Sequence, residues 1–209
     1  MISKRQSLQP KYLKEFMKKS EEKINQEREN INAINVFPIP DGDTGSNMFY
    51  TIKAIVNEVN SASDSDAEAI FQAISKGAFV GAKGNSGVIY SQFLIGIVEY
   101  LEDKEVITPE LFAEALAEGT EFAYDAVLNP TEGTILTVMK RVTDVAKEVT
   151  EKNPEIDWLE FMNILVETGK KCLEETKEML DVLKENDVVD AGAKGFVHIL
   201  ESWRDAITS

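Results

Sequence analysis

Apolar residues recur at intervals of three or four along most of the chain, and this spacing is the feature that most restricts its fold. Thr108 followed by Pro109 is a typical helix start, and an apolar stripe from Leu111 to Val127 follows it. No segment alternates apolar and polar residues for long enough to predict a strand. The spacing predicts helices at 10–34, 46–60, 66–82, 86–103, 108–128, 132–151, 156–184 and 191–206. We therefore expect an all-α fold of about eight antiparallel helices, joined by short connections.

Composition limits the class of protein further. The 209 residues suit one domain, for which we predict an N-terminal arm at 1–9 and a helical domain at 10–209. A formal net charge of −15 argues against nucleic-acid binding and makes a polyphosphate ligand unfavourable unless cations intervene. Cys172 is the only cysteine, which excludes an internal disulfide and favours a reducing, cytoplasmic location. The sequence shows neither a signal peptide nor an apolar run of about 20 residues.

The segment NVFPIPDGDTGSNM, residues 35–48, indicates a site for metal and phosphate. Asp41 and Asp43 flank Gly42, and a turn at the glycine would let both carboxylates converge on one hard cation. A helix predicted to begin just beyond offers free N–H groups to an anion. An ordinary Asp-Gly-Asp surface turn is the alternative interpretation.

Two further glycine-rich loops precede predicted helices. They are GAKGNSG at 81–87 and DAGAKG at 190–195, and each places small residues where backbone amides can approach phosphate oxygens. One such loop is usually only a helix connection. Three of them, together with the paired acids, favour a metal–nucleotide site at one end of a helical scaffold.

These motifs, with PTEGTILTVMKR at 130–141 between them, occur in an order that resembles the nucleotide-binding (DhaL-type) domain of the dihydroxyacetone kinase family. The resemblance covers residues 10–205 and is nearest to the N-terminal domain of bacterial fatty acid kinases. It implies an up-and-down helical barrel that binds ATP or ADP with two Mg²⁺ ions. It also implies catalysis of phosphoryl transfer to a fatty acid carried by a binding-protein partner. The kinases of this branch are longer than this chain, and a homodimer is compatible with such a full-length protein.

The resemblance implies roles for individual residues. Asp41 and Asp43 would be the catalytic metal ligands, with Asn35 as a third ligand, because the family's third aspartate is replaced here by Val36. Asn35 could equally be a helix C-terminal residue. The nucleotide would be bound by Thr44, Asn47, Gly84, Asn85, Ser86, Gly87, Thr134, Asp190 and Gly192.

Several of these residues have a structural alternative. Thr44, Asn85, Ser86 and Asp190 are all suited to capping a helix N-terminus, which uses the same N–H groups as phosphate binding. Of Thr134 and Thr137, we expect at least one to be structural. Cys172 is expected to be an inert core thiol, and His198 to be satisfied by a neighbour rather than catalytic.

Function remains open between classes at this point. The leading hypothesis is the ATP-binding domain of a fatty acid kinase; a phosphoryl-donor subunit of the dihydroxyacetone kinase type is the closest alternative. A non-catalytic nucleotide-binding module and a lipid carrier with an apolar cavity are the others. Lys83, Lys194 and Arg141 are the only cations the sequence places near the proposed site.

Overall fold

The computed structural model describes residues 7–208, and over that range it contains nine α-helices and no named strand. They are α1 Lys11–Asn32, α2 Thr44–Val59, α3 Ala67–Gly81, α4 Gly84–Leu101, α5 Pro109–Asp125, α6 Ile135–Lys152, α7 Trp158–Met179, α8 Asp181–Asn186 and α9 Ala191–Thr208. The all-α prediction is confirmed.

Eight of the helices form a closed ring. Each helix from α1 to α7 packs against the next, α7 packs against α9, and α9 returns to α1, while the short α8 lies in the α7–α9 connection. Successive helices run in opposite directions because their connections are short. The up-and-down barrel that the resemblance implied is therefore present.

Side chains fill the barrel interior. Phe16 stacks on Trp203 with ring centroids 5.6 Å apart, and Phe112 and Trp158 pack edge-on beside them. The apolar cavity next to Phe16 and Trp203 measures about 10 Å³, roughly room for one water molecule. This cavity is too small for an acyl chain, which disfavours the lipid-carrier hypothesis.

The side chain of the residue just before the helix caps α3, α5 and α7. Thr108 Oγ1 accepts from Leu111 N–H at the start of α5, as the sequence predicted. Asp66 and Asp157 cap α3 and α7 in the same way, each accepting from the N–H three residues on. Each cap accepts a hydrogen bond from a backbone N–H that has no partner within the helix, and this fixes the residue at which the helix begins.

One helix prediction was wrong. The expected helix at 156–184 is broken at Leu180, whose backbone is extended (φ −124°, ψ 129°), so that α7 ends at Met179 and α8 begins at Asp181. The α5–α6 connection packs against this break, since a Cβ on Gly133 would lie 2.7 Å from Met179 Cβ. The chain turns here to bring Asp190 to the start of α9.

At the opposite end, Leu8 joins the barrel through an antiparallel bridge to Ile107, with N–H···O distances of 2.7 and 2.8 Å. Leu8 is buried, so residues 7–9 of the predicted arm lie against the domain. Residues 1–6 are outside the described range. Within residues 7–208, no helix combines the length and apolar character needed to cross a membrane.

Candidate active site

Four connections meet at one end of the barrel and enclose a cleft of about 460 Å³. They are 33–43, 82–83, 126–134 and 180–190, which the alternating helix directions bring to the same end. Eleven of the twelve predicted site residues line this cleft: Asn35, Asp41, Asp43, Thr44, Asn47, Gly84, Asn85, Ser86, Thr134, Asp190 and Gly192. The twelfth, Gly87, is buried and does not line it.

The paired carboxylates sit at the mouth of the cleft. Gly42 has a φ of +67°, which allows the chain to turn sharply between Asp41 and Asp43. Asp41 is exposed and Asp43 is half-buried. Although Asp43 is the N-cap residue of α2, its side chain makes no capping hydrogen bond. Its carboxylate is therefore free to bind a ligand.

Asn35 holds the backbone at the start of α2. Its Oδ1 accepts from the N–H groups of Asp43 and Thr44, both at 3.1 Å. Its Nδ2 donates to the carbonyls of Ile39 at 3.2 Å and Phe37 at 3.4 Å. The buried amide therefore ties together both ends of the acidic loop. The Oδ1 atom proposed as a third metal ligand already accepts two hydrogen bonds, so its ligand role stays a prediction that these contacts disfavour.

The first turn of α2 has few amides left for an anion. Besides the two bonds to Asn35, Ser46 N–H donates to Asn32 Oδ1 at 3.1 Å and Asn47 N–H donates to Asp43 O. We had expected the amides of residues 44–47 to hold phosphate. The structure instead leaves Thr44 and Asn47 facing the cleft mainly through their side chains.

The start of α4 is different, because no side chain caps it. Its first turn comprises Gly84, Asn85 and Ser86, whose N–H groups have no partner within an α-helix and which all line the cleft. Gly87 N–H instead donates to Lys83 O as the first intrahelical bond. Gly84 adopts a φ of +59°, and a Cβ there would lie 2.3 Å from Asn47 Nδ2. Only glycine fits this close contact between α2 and α4.

Asp190 caps two helices at once. Its Oδ2 accepts from Ala193 N–H at 2.7 Å, which confirms it as the cap of α9, and from Ile135 N–H at 3.1 Å at the start of α6. Burial raises the pKa of this carboxyl to about 6, despite the opposing effect of the N–H donors. Asp190 thus fixes the base of the cleft, beside Gly192.

The two threonines at the start of α6 differ in position. Thr134 lines the cleft and its hydroxyl donates to Thr131 O at 2.8 Å. The Thr137 hydroxyl accepts from Gly133 N–H and donates to Glu132 Oε2, which stabilises the turn before α6. Thr137 therefore has the structural role that we expected of at least one of them.

The lining of the cleft combines polar and apolar residues. Besides the acidic pair and the start of α4, it contains Phe37, Pro38 and Ile39 of the 33–43 connection and a second apolar set, the apolar wall, of Val88, Ile89, Ala126, Val127, Leu128, Ile135 and Leu136. Leu128 is 94% exposed, an unusual position for a leucine. Among the described residues no Lys, Arg or His lines the cleft, whereas three aspartates do.

Sequence reasoning missed the apolar wall. The run Ala126-Val127-Leu128 just before Asn129-Pro130 was interpreted as the end of a helix stripe, whereas α5 ends at Asp125 and these residues enter the connection. The sequence signal for this surface is that the apolar run continues up to the predicted break at Asn129-Pro130. Asn32, which bonds to Ser46 through both ends of its amide, had no recognisable signal.

The remaining candidates lie elsewhere. Lys83 Nζ lies 4.7 Å from the centroid of the Tyr50 ring, and Arg141 Nη1 lies 3.8 Å from Glu175 Oε2. Neither residue lines the cleft, and Lys194 does not line it either. His198 Nδ1 is 3.0 Å from Glu201 Oε2, as expected of a histidine paired with a neighbour, whereas its buried Nε2 has no hydrogen-bond partner among the described residues. Burial raises the pKa of the Cys172 thiol, which fits an inert core position.

The donor set of the cleft fits Mg²⁺. Asp41 and Asp43 offer hard carboxylate oxygens that no capping bond occupies, and Mg²⁺ in phosphate sites commonly takes one or two protein carboxylates with substrate oxygens and water. Within residues 7–208 no group of three or more His, Cys, Asp or Glu side chains could hold a metal ion by itself. An ion here would therefore depend on its ligand for further oxygens.

The sequence is similar to a known domain family and to bacterial proteins that contain it. Residues 38–205 match the model of the DAK2 domain. Protein YloV of Bacillus subtilis is 42% identical over 180 residues, which are 86% of this chain and 32% of that protein. The uncharacterized protein SAB1090 of Staphylococcus aureus is 40% identical over 178 residues, 85% of this chain and 32% of its own length. The chain thus spans about a third of these relatives.

A solved structure shares the fold. The dihydroxyacetone kinase of C. freundii, in complex with AMP-PNP and Mg²⁺, superposes with a TM-score of 0.66 at 16% identity, covering 91% of this chain and 33% of the kinase. The native form of that enzyme gives 0.65 at 17% identity, over 97% and 36% of the two chains. Together with the match over residues 38–205, these findings show that the chain belongs to the DAK2 domain family, the DhaL-type nucleotide-binding domains of the dihydroxyacetone kinases.

Proposed function

We propose that this chain is the ATP-binding domain of a Mg²⁺-dependent kinase that phosphorylates a fatty acid presented by a fatty-acid-binding partner. The observation that carries the proposal is the combination of groups that line the cleft. Uncapped amides at the start of α4 and free carboxylates line it together with the apolar wall. A nucleotide needs both kinds of surface, one for its phosphates and one for its base, and about 460 Å³ lies within the range of small-molecule pockets.

Each part of the cleft then has a task. The amides of Gly84, Asn85 and Ser86 bind phosphate oxygens at the positive end of the α4 dipole. The base lies against the apolar wall, where Leu128 covers it from the solvent side. Asp41 and Asp43 would hold Mg²⁺, which would supply positive charge to neutralise the phosphates. Asn35 and Asp190 keep the helix starts in place around the ligand.

A fatty acid acceptor requires no general base. In phosphoryl transfer to a hydroxyl a base usually takes the proton, whereas a fatty acid carboxylate is already ionised at neutral pH. A carboxylate oxygen forms the new P–O bond as the bond to the bridging oxygen of ATP breaks, which yields acyl phosphate and ADP.

A partner solves the electrostatic problem of the acceptor. With a net charge of −15 and no cation in the described lining, the domain repels a free anionic substrate. A protein that buries the acyl chain screens this repulsion and positions the carboxylate in line with the phosphate. The fold of the C. freundii enzyme supports a second candidate, in which the partner carries dihydroxyacetone instead.

The test has a binding stage and a turnover stage. Calorimetry with ATP and Mg²⁺ should show binding that Asp41→Ala or Asp43→Ala abolishes without loss of helical content. Asp103→Ala, which removes the same charge from an exposed site at the other end of the barrel, is the matched control. Wild-type affinity in either site variant would contradict the metal assignment.

Turnover is measured as ADP release and acyl-phosphate trapping by hydroxylamine. Three reactions are compared: the chain with ATP alone, with added oleate, and with oleate loaded on a bacterial fatty-acid-binding protein. We expect product only in the third. Rapid product formation with free oleate would refute partner delivery, and turnover only with a dihydroxyacetone-loaded subunit would select the second candidate.

A further inference from the structure

Two large apolar side chains are unusually exposed on the outer face of α3. Phe79 and Val80 are 76% and 74% exposed in the last turn of the helix. Lys76 lies one turn earlier on the same face, while Gly77 and Gly81 turn inward against α2. Tyr50 and Lys53 extend this surface along the exposed face of α2. We refer to Tyr50, Lys53, Lys76, Phe79 and Val80 as the α2–α3 patch. Neighbouring large apolar side chains this exposed typically mark an interaction site.

The charge of this region differs from that of the rest of the protein. Residues 70–98 contain two lysines and no acidic residue, in a chain with 37 acidic residues. The acidic side chain that contacts the patch is Glu58, which pairs with Lys76 at 2.9 Å. The surface is therefore apolar with a basic edge, on a protein that is otherwise strongly acidic.

The patch also lies next to the phosphate-binding end of the cleft. Val80 precedes Gly84 by four residues, a span of less than about 15 Å even in an extended chain. Lys83 connects the two regions, since its Nζ lies over the Tyr50 ring and its N–H donates to Thr51 Oγ1. A protein bound to the patch would thus reach the position where an acceptor meets the terminal phosphate.

We propose that the α2–α3 patch is the docking surface for the acceptor-bearing protein, which presents an apolar centre with an acidic edge; this inference rests on the proposed function. Charge complementarity selects this occupant over the others. An isologous contact between two copies of the chain would place the lysines against each other. An anionic membrane is typically bound by clusters of four to eight basic residues, more than the patch supplies, and the remaining negative charge opposes it.

The experiment varies the concentration of the oleate-loaded fatty-acid-binding protein in the turnover assay. Phe79→Ser/Val80→Ser should raise KM for the loaded protein about tenfold or more, as expected for the loss of an aromatic anchor, and leave ATP affinity unchanged. Lys53→Glu/Lys76→Glu should raise the same KM and abolish its increase with ionic strength. Val106→Ser and Lys11→Glu/Lys152→Glu, all at exposed positions toward the other end of the barrel, are the matched controls.

Each outcome decides between hypotheses. If the wild type turns over and both patch variants keep its KM, the docking proposal is wrong while the proposed function stands. If the wild type binds ATP but never turns over with the loaded protein, the proposed function fails and the docking proposal fails with it. Docking is also overturned if the patch variants abolish self-association in sedimentation velocity, or binding to phosphatidylglycerol vesicles, without changing KM.

Discussion

Replacing Asn35 tests whether its amide stabilises the acidic loop. In Asn35→Ala, the N–H groups of Asp43 and Thr44 lose their acceptor, and the carbonyls of Phe37 and Ile39 lose their donor. Each buried hydrogen bond contributes about 1 kcal/mol and helix caps about 0.5–2 kcal/mol, so we expect a loss of roughly 2–4 kcal/mol in the free energy of unfolding. For a chain of this size the loss lowers Tm by roughly 5–15 °C.

Asn35→Asp separates the two roles considered for this residue. The carboxylate can still accept from both N–H groups, but it cannot donate to the carbonyls, so we expect a smaller loss of about 1–2 kcal/mol. If Asn35 were a metal ligand, the added negative charge should strengthen Mg²⁺-dependent ATP binding. If it only stabilises the loop, the affinity should stay the same or fall.

The assay is urea unfolding followed by circular dichroism, with calorimetric titration of ATP and Mg²⁺ on the folded variants. Asn25→Ala, an exposed asparagine in α1, is the control and should change stability by less than about 0.5 kcal/mol. An unfolding midpoint of Asn35→Ala equal to that of the wild type would refute the stabilising role. Tighter Mg²⁺-dependent binding by Asn35→Asp would restore the ligand hypothesis.

Three further substitutions separate the site from the scaffold. Gly84→Ala forces a positive φ on alanine and a contact with Asn47, so it should cost about 1–3 kcal/mol and weaken ATP binding; unchanged calorimetric affinity would argue against phosphate at this turn. Gly119→Ala places a Cβ 2.4 Å from Phe93 O, so urea unfolding should show a loss of stability while the folded protein keeps its ATP affinity. The raised pKa of Asp190 means that the folded state holds its proton more tightly than the unfolded state. Its contribution to stability is therefore complete below about pH 4 and lost as pH rises through about 6, a change of roughly 3 kcal/mol that Asp190→Asn should abolish in urea unfolding across this range.

The helical architecture could be predicted from sequence because the apolar spacing is local and regular. Thr108 is an example. The sequence predicted it as the capping residue before Pro109, and the structure shows that it accepts the hydrogen bond from Leu111 N–H. The break at Leu180 was missed because apolar residues continue on both sides, at Met179 and Leu183, with helical spacing. At this break the helix packs closely against Gly133, a contact between residues more than forty positions apart that local spacing does not reveal.

The site could be predicted as a set of residues but not as an arrangement. The glycine-rich loops and paired acids identified most of the polar lining, because such residues are enriched where backbone approaches phosphate. The apolar wall was missed because Ala126, Val127 and Leu128 are ordinary helix residues by composition, and their role depends on α5 ending at Asp125.

The distribution of helix caps explains which groups the cleft leaves for a ligand. Asp66 and Asp157 cap their own helices, and their carboxylates are thereby occupied. Asp43 holds the equivalent position on α2, yet its carboxylate is free, because the N–H three residues on, that of Ser46, donates to Asn32 Oδ1 instead. In the sequence these three aspartates, like Asp190, simply precede helices, and nothing distinguishes them. In this fold Asp43 is available for a metal ion because another side chain accepts the N–H that it would otherwise cap. At the start of α4 the N–H groups are available for phosphate because no side chain caps them.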